Sequence, residues 1–173
     1  MAVRYIELAL LVILALISDF RTYRIDNRLI VVLLIAGVLT GLVQGGLNGL
    51  VSSLLGVSLP LLLLFWLYLL RMLGAGDIKL FCSIGGVAGI GFIPWCIAWS
   101  FLAGGFTALV IMLVRRNVSQ RFRYLGSYLK ACFLSGSILE YSEISDQSGG
   151  AKFHFSMAIA LGTAIQVFLT VFY

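Results

Sequence analysis

Two aspartates stand at the edges of long apolar stretches, where ionisable side chains are rare. Asp19 follows the first apolar segment of the chain, and Asp77 comes directly before a later one. Two carboxylates that share one water molecule can hydrolyse a peptide bond, because one stays protonated and acts as the acid while the other acts as the base. Asp19 and Asp77 are therefore a candidate catalytic pair, which would titrate as a unit.

The residues around Asp77 suit the same chemistry. Gly74 and Gly76 have no side chains, so the backbone of an extended substrate could approach closely. Proteases commonly bind their substrates as added strands. We expect Gly74, Gly76 and the nearby Lys79 to support substrate binding.

Each aspartate also has a purely structural explanation. Asp19 could be a helix-end carboxylate that pairs with Arg21 or Arg24. Asp77 could be the N-cap of the following helix, a common role for aspartate. Asp26 could replace Asp19 as the partner of Asp77, although it lies further out among arginines. Residue types and spacing alone leave these alternatives open.

The composition places these residues in a membrane protein. Of the 173 residues, 61% are hydrophobic and 11% are charged, whereas a soluble domain has about 25% charged residues. The lysines and arginines lie in short gaps between apolar runs, which is typical of membrane proteins rather than of nucleic-acid-binding surfaces. We expect one all-α domain, residues 1–173, with membrane lipids as its surroundings and no nucleic acid as a partner.

Three long runs contain no Lys, Arg, Asp or Glu: residues 29–70, 80–114 and 153–173. A helix needs about 20 apolar residues to cross the hydrocarbon core. The first run therefore predicts two spans, with a break at 44–49. The second predicts a short segment at about 78–89 and a full span at 94–114. With a short first span at 5–18 and the last run, the sequence predicts six transmembrane helices.

The basic residues predict the orientation of these six spans. With the N-terminus outside, every Lys and Arg except Arg4 lies in the inner loops 19–28, 71–79 and 115–152, as the positive-inside rule requires. Asp19 and Asp77 then share the cytoplasmic face, which predicts a cytoplasmic-facing active site in a multi-pass protein of the cytoplasmic membrane.

The short segment 78–89 and the basic loop 115–152 depend on one another. Without a crossing at 78–89, the basic loop would lie outside, so we expect this segment to cross, tilted or in thinned lipid. In the loop, apolar residues recur at three- and four-residue spacing among Arg and Lys up to Leu139. This pattern predicts an interfacial amphipathic helix.

The cysteines, the histidine and the remaining acid near the N-terminus favour no further chemistry. Cys82, Cys96 and Cys132 form no CxxC pair, so neither a zinc site nor a disulfide framework is indicated. We expect no metal and no cofactor. His154, the only histidine, and Glu7 are expected at the membrane interface.

Three segments resemble prepilin and preflagellin peptidases. Residues 18–27 (SDFRTYRIDN) resemble the family's first motif, an Asp followed by basic residues and Ile-Pro-Asn or a variant. Residues 74–80 (GAGDIKL) resemble its Gly-x-Gly-Asp motif with the usual following Lys, and residues 152–162 (KFHFSMAIALG) resemble its closing segment. Asp26 stands where bacterial members usually have Pro, and His154 where Pro is common.

The resemblance implies that Asp19 and Asp77 are the catalytic aspartates of an intramembrane aspartic endopeptidase. It implies that the substrates are type IV pilin-like precursors, with a short basic leader in the cytosol and an apolar stem in the membrane. Longer family members have a cytosolic four-cysteine zinc domain and also N-methylate the new N-terminus. The chain lacks that domain and is similar to the short tight-adherence-type peptidases, so we expect no methyltransferase activity.

Two other classes of function compete with the peptidase. Intramembrane acids also relay protons in small transporters and channels, although the Gly-Ala-Gly-Asp loop and the lack of inverted repeats disfavour a transporter. An inactive pilin-assembly partner would bind pilin stems without cutting them. Which precursor is cut and the oligomeric state are not predicted.

Overall fold

The computed structural model describes residues 2–22, 27–70, 72–114 and 155–172, and these contain helices but no strand. The five helices are α1 (Ala2–Thr22), α2 (Asn27–Leu69), α3 (Ala75–Ala88), α4 (Ile93–Val114) and α5 (Phe155–Phe172). The predicted all-α class is confirmed for this part of the chain.

The long helix α2 reverses direction at Gly46. This residue has φ 58° and ψ −143°, which is outside the helical region and in a conformation that favours glycine. A Cβ atom on Gly41 would meet the side chain of Ser53, a residue that a straight helix would place about 18 Å away. The two arms of α2, residues 27–45 and 47–69, are therefore antiparallel. The predicted break at 44–49 is confirmed.

The short helix α3 packs between the two arms of α2. A Cβ atom on Gly86 would lie 3.3 Å from Val57 of the second arm and 3.7 Å from Val38 of the first. Gly85 and Gly56 approach so closely that a side chain on either would overlap the backbone of the other. Small residues allow this kind of backbone contact between helices, and it explains why a 14-residue helix is buried along most of its length.

Helix α1 also packs against α3, and α5 packs against both of them. Leu8, Leu11 and Ala15 of α1 are buried, and they follow the three- and four-residue spacing of one helix face. The buried residues of α1, α2, α3, α4 and α5 form one hydrophobic cluster. Cys82 and Cys96 are buried within it.

The chain divides into two compact units, residues 1–104 with 154–173, and residues 105–153. Of the second unit the structure describes only 105–114, the end of α4. The residues of the candidate site lie within the first unit.

Within the described residues, three helical segments are long and apolar enough to cross a membrane: Ile30–Leu69, Ile93–Ile111 and Phe155–Phe172. The chain is therefore a membrane protein. α1 and α3 are not among the three segments, and the predicted count of six spans stays a prediction. The amphipathic helix predicted within 115–152, Asp26, Cys132 and His154 lie outside the described residues.

Candidate active site

Asp77 lies in the first turn of α3. The N-cap of this helix is Gly74, with extended backbone angles of φ −74° and ψ 146°. The carbonyl oxygen of Gly74 accepts the Asp77 N–H at 3.1 Å, and the Asp77 carboxylate accepts a hydrogen bond from the Gly74 N–H. The proposal that Asp77 is the N-cap is therefore wrong. Its side chain instead reaches back to the cap from the third helical position, as in a capping box.

Asp19 lies in the last turn of α1 and contacts α5. The Ser156 hydroxyl donates a hydrogen bond to Asp19 Oδ2. Ser156 is in the first turn of α5 and is only 2% exposed. The contact therefore joins the end of α1 to the beginning of α5, two segments that are far apart in the sequence.

Asp19 is close enough to Asp77 to act electrostatically on its carboxyl group. Asp77 precedes the apolar segment 78–89 and lies outside the three segments that qualify as membrane-spanning. Burial raises the pKa of Asp77 to about 6; the hydrogen bond from Gly74 lowers it, and the negative charge of Asp19 raises it. A carboxyl group with a raised pKa beside a second carboxylate is the electrostatic arrangement of an acid and base pair.

Gly74 leaves space for the Asp77 carboxylate and borders a cleft. A Cβ atom on Gly74 would lie 3.1 Å from Asp77 Oδ2, so a larger residue would press on the carboxylate. The cleft has a volume of about 520 Å³ and is lined by Tyr68, Leu69, Met72, Leu73, Gly74 and Ala75. It adjoins the turn that contains Asp77.

The other predicted support residues have different environments. Gly76 is the second residue of α3 and is half-buried, whereas Lys79 is exposed. The carbonyl oxygen of Lys79 accepts a hydrogen bond of 3.1 Å from the side-chain hydroxyl of Ser83. The roles of Gly76 and Lys79 toward a substrate stay predictions.

The alternative partners of the aspartates are outside the structural description. Arg24 and Asp26 are not among the described residues, and the side chain of Arg21 is not described either. Ser156, in contrast, was missed in the sequence analysis. The only indication in the sequence was its place in the closing segment 152–162, because a serine on an apolar helix has no distinctive spacing.

The arrangement has the components of metal-independent peptide hydrolysis. The carboxyl group of Asp77 has a raised pKa, that of Asp19 accepts a hydrogen bond from a hydroxyl group, and a cleft lies beside Gly74, three residues before Asp77. A water molecule held by such a pair can be deprotonated by the ionised carboxylate while the protonated one donates to the substrate carbonyl.

Comparison with known proteins gives one match. Residues 6–109 match the sequence model of the type IV leader peptidase family. The matched region is more than half of the chain and includes both aspartates and the glycines before Asp77, but not Ser156. No curated protein and no solved structure matches the chain.

Proposed function

The chain belongs to the type IV leader peptidase family, and from this premise we propose that it is an aspartic endopeptidase with Asp19 and Asp77 as its catalytic pair. The observation on which the proposal chiefly depends is that Asp77 is buried with a raised pKa and that the charge of Asp19, at the end of a different helix, contributes to this rise. Such proximity of two acids is unfavourable for folding, and it is the arrangement that this chemistry needs.

The proposed reaction is hydrolysis of one peptide bond by one water molecule. The ionised aspartate removes a proton from the water, whose oxygen attacks the scissile carbonyl carbon, while the protonated aspartate donates its proton to the carbonyl oxygen. In the collapse of the resulting gem-diol, the aspartate that took the proton from water passes it to the leaving nitrogen, the C–N bond breaks, and the other aspartate regains its proton from a hydroxyl group of the gem-diol. The products are a free carboxylate on the leader and a free amine on the mature chain.

The proposed substrates are type IV pilin-like precursors, which are cut between a short basic leader and an apolar stem. The glycine at 74 and the cleft beside it support this substrate class, because an extended backbone could lie against them without a steric clash. An extended segment next to a membrane helix is tolerated where it borders a watery cavity.

The proposed orientation has six spans, the N-terminus outside, and the aspartates at the cytoplasmic face of the cytoplasmic membrane. The reversal of α2 at Gly46 supports two crossings within this helix. The burial of α3 between the arms of α2 supports a further short crossing, since protein rather than lipid surrounds this helix. A reporter fused after Tyr173 is expected on the outer side; a cytosolic reporter would contradict this count.

Co-expression with a tagged pilin-like precursor tests the proposed activity. The wild-type protein is expected to shorten the precursor by the length of its leader, and Asp77→Asn is expected to leave it intact at an equal amount of membrane protein. If folded wild-type protein shortens no candidate precursor, the proposed peptidase activity is wrong. A proton-coupled transporter or an inactive assembly partner would then explain the acids better.

A further inference from the structure

The hydroxyl group of Ser156 is directed at one carboxylate of the pair. It donates to Asp19 Oδ2, whereas Asp77 accepts its hydrogen bond from the backbone of Gly74. A hydrogen bond donated to an ionised carboxylate favours the ionised form, and a bond with a charged partner is about twice as strong as a neutral one. Ser156 therefore distinguishes the two aspartates, which their residue type does not.

The helix that presents Ser156 is firmly packed near this residue. The ring of Phe155 lies 5.6 Å from the ring of Phe101, measured between centroids. A Cβ atom on Gly104 would come within 2.8 Å of Phe155, and one on Gly162 would overlap Ser100. Close packing of α5 against α4 on both sides of Ser156 restricts the position of its hydroxyl group, as a supporting residue requires.

The neighbouring helices also carry titratable groups. The ends of α2 and α3 near the site carry Tyr68, Asp77 and Lys79, and also Arg28, whose side chain is not described. α5 has no titratable side chain between residues 155 and 172. The burial of Asp77 favours its protonated form.

We propose, on the basis of the proposed function, that Ser156 is a positioning residue: its hydroxyl keeps Asp19 ionised and oriented as the general base, so that Asp77 holds the proton as the general acid. The proposal assigns a separate role to each aspartate. In the reaction, Asp19 takes the proton of the attacking water, and Asp77 gives its proton to the scissile carbonyl oxygen.

The pH profile of cleavage tests this assignment in the full-length protein, purified in detergent with a pilin-like precursor peptide. Loss of the donor in Ser156→Ala makes ionisation of Asp19 less favourable. We expect the acidic limb of the kcat profile to move up by about one pH unit, which corresponds to a tenfold change in the ionisation equilibrium. We expect kcat to fall about tenfold below that of the wild type, with little change in KM.

Two further variants separate positioning from packing. Ser156→Thr keeps the hydroxyl and is expected to restore the position of the acidic limb. Ser156→Cys is close in size to serine but is a weak donor, so it is expected to show the shift even if Ser156→Ala folds poorly.

Thr163→Val is the matched control. Thr163 is on the same helix, is 3% exposed, and donates to the carbonyl oxygen of Ile159 at 2.7 Å rather than to an acid. We expect this variant to leave the acidic limb unchanged. An unchanged limb in Ser156→Ala and Ser156→Cys, or an equal shift in Thr163→Val, would overturn the role of Ser156.

The outcome for the proposed function is measured separately. If the wild-type protein cleaves the precursor and Asp77→Asn does not, the proposed peptidase function is supported, whatever the Ser156 variants show. If the wild-type protein does not cleave any precursor, both the function and the role of Ser156 fail.

Discussion

The two ends of α1 each have a carboxylate that is bonded to a hydroxyl group of another helix. At the N-terminal end, Thr40 of α2 donates to Glu7 Oε1 at 2.6 Å. At the C-terminal end, Ser156 of α5 donates to Asp19. The two acids are separated by about 18 Å along the helix. Both contacts are hydrogen bonds from a hydroxyl group of a neighbouring helix to a carboxylate of α1.

The difference between the two ends is the second carboxyl group. The negative charge of Asp19 contributes to the raised pKa of Asp77. The only other acids among the described residues are Asp19 and Asp77, so Glu7 has no comparable neighbour at its own end of α1. One oxygen of Glu7, Oε2, is buried and has no hydrogen-bond partner among the described residues. A hydrogen bond between a carboxylate and a hydroxyl group therefore joins α1 to another helix at each of its ends. Only the C-terminal end, where Asp19 lies near Asp77, has the two acids that hydrolysis needs.

The largest effect is expected from the amides that replace the two aspartates. Asp19→Asn and Asp77→Asn should each lower kcat/KM for precursor cleavage by at least about a thousandfold, because an amide can neither take up nor donate the proton. Glu7→Gln is the matched control on α1. Its kcat/KM should stay within about threefold of the wild-type value, a change in activation free energy of under about 1 kcal/mol, because Glu7 lies at the other end of the helix. Comparable losses in all three variants would remove the distinction between the two ends.

A smaller loss is expected from Gly74→Ala. The new Cβ atom would lie 3.1 Å from Asp77 Oδ2, so the carboxylate must move by a few tenths of an ångström, and we expect kcat to fall about tenfold. Gly91→Ala is the control, because a Cβ atom there would meet nothing within 4 Å. Equal kcat values for the two variants would show that the position of the Asp77 carboxylate is not critical.

The burial of Asp77, and to a smaller extent its proximity to Asp19, should affect the stability of the protein. The pKa of Asp77 is raised in the folded protein to about 6 from 3.8. Folding therefore favours the protonated form, and stability is lost as the pH rises through about 6. Asp77→Asn should increase the free energy of unfolding in detergent by about 1 to 3 kcal/mol at pH 8. The gain should disappear below pH 4, where the wild-type carboxyl is protonated in both states; the same gain at both pH values would contradict the assigned cause.

The smallest effect is expected from Thr40→Val. This change removes the donor to Glu7 and should lower the stability by about 1 kcal/mol, measured as a lower midpoint of thermal unfolding in detergent. Cleavage at 25 °C should be unchanged, because the contact lies at the opposite end of α1 from the aspartates. A loss of kcat without a loss of stability would mean that Glu7 and Thr40 take part in the chemistry.

Much of the fold could be predicted because it depends on residues that are near one another in sequence. The uncharged run 29–70 predicted paired helices, and the glycine-rich stretch at 44–49 predicted their break, which lies at Gly46. The second predicted break was also correct, since α3 ends at Ala88 and α4 begins at Ile93. Hydrophobicity and backbone preference are local properties, so both features are visible in the sequence.

Part of the candidate site was predictable for the same reason, and part was not. The glycines before Asp77 and the position of Asp19 at the end of an apolar segment are local features, and the family match includes them. The alternative that Asp77 is the N-cap of the helix was wrong, because the N-cap is Gly74. Aspartate favours both the cap and the third position of a helix, and only the backbone angles of Gly74 distinguish the two.

The sequence by itself determined a helical membrane protein of the leader peptidase family with two aspartates beside apolar segments. Only the tertiary structure decided which groups those aspartates meet. The contacts of Asp19 with Ser156 and of Glu7 with Thr40 join residues 137 and 33 positions apart. Such contacts depend on how close the glycines of α2, α3, α4 and α5 let the helices approach, and this packing is a property of the assembled helices rather than of any local segment.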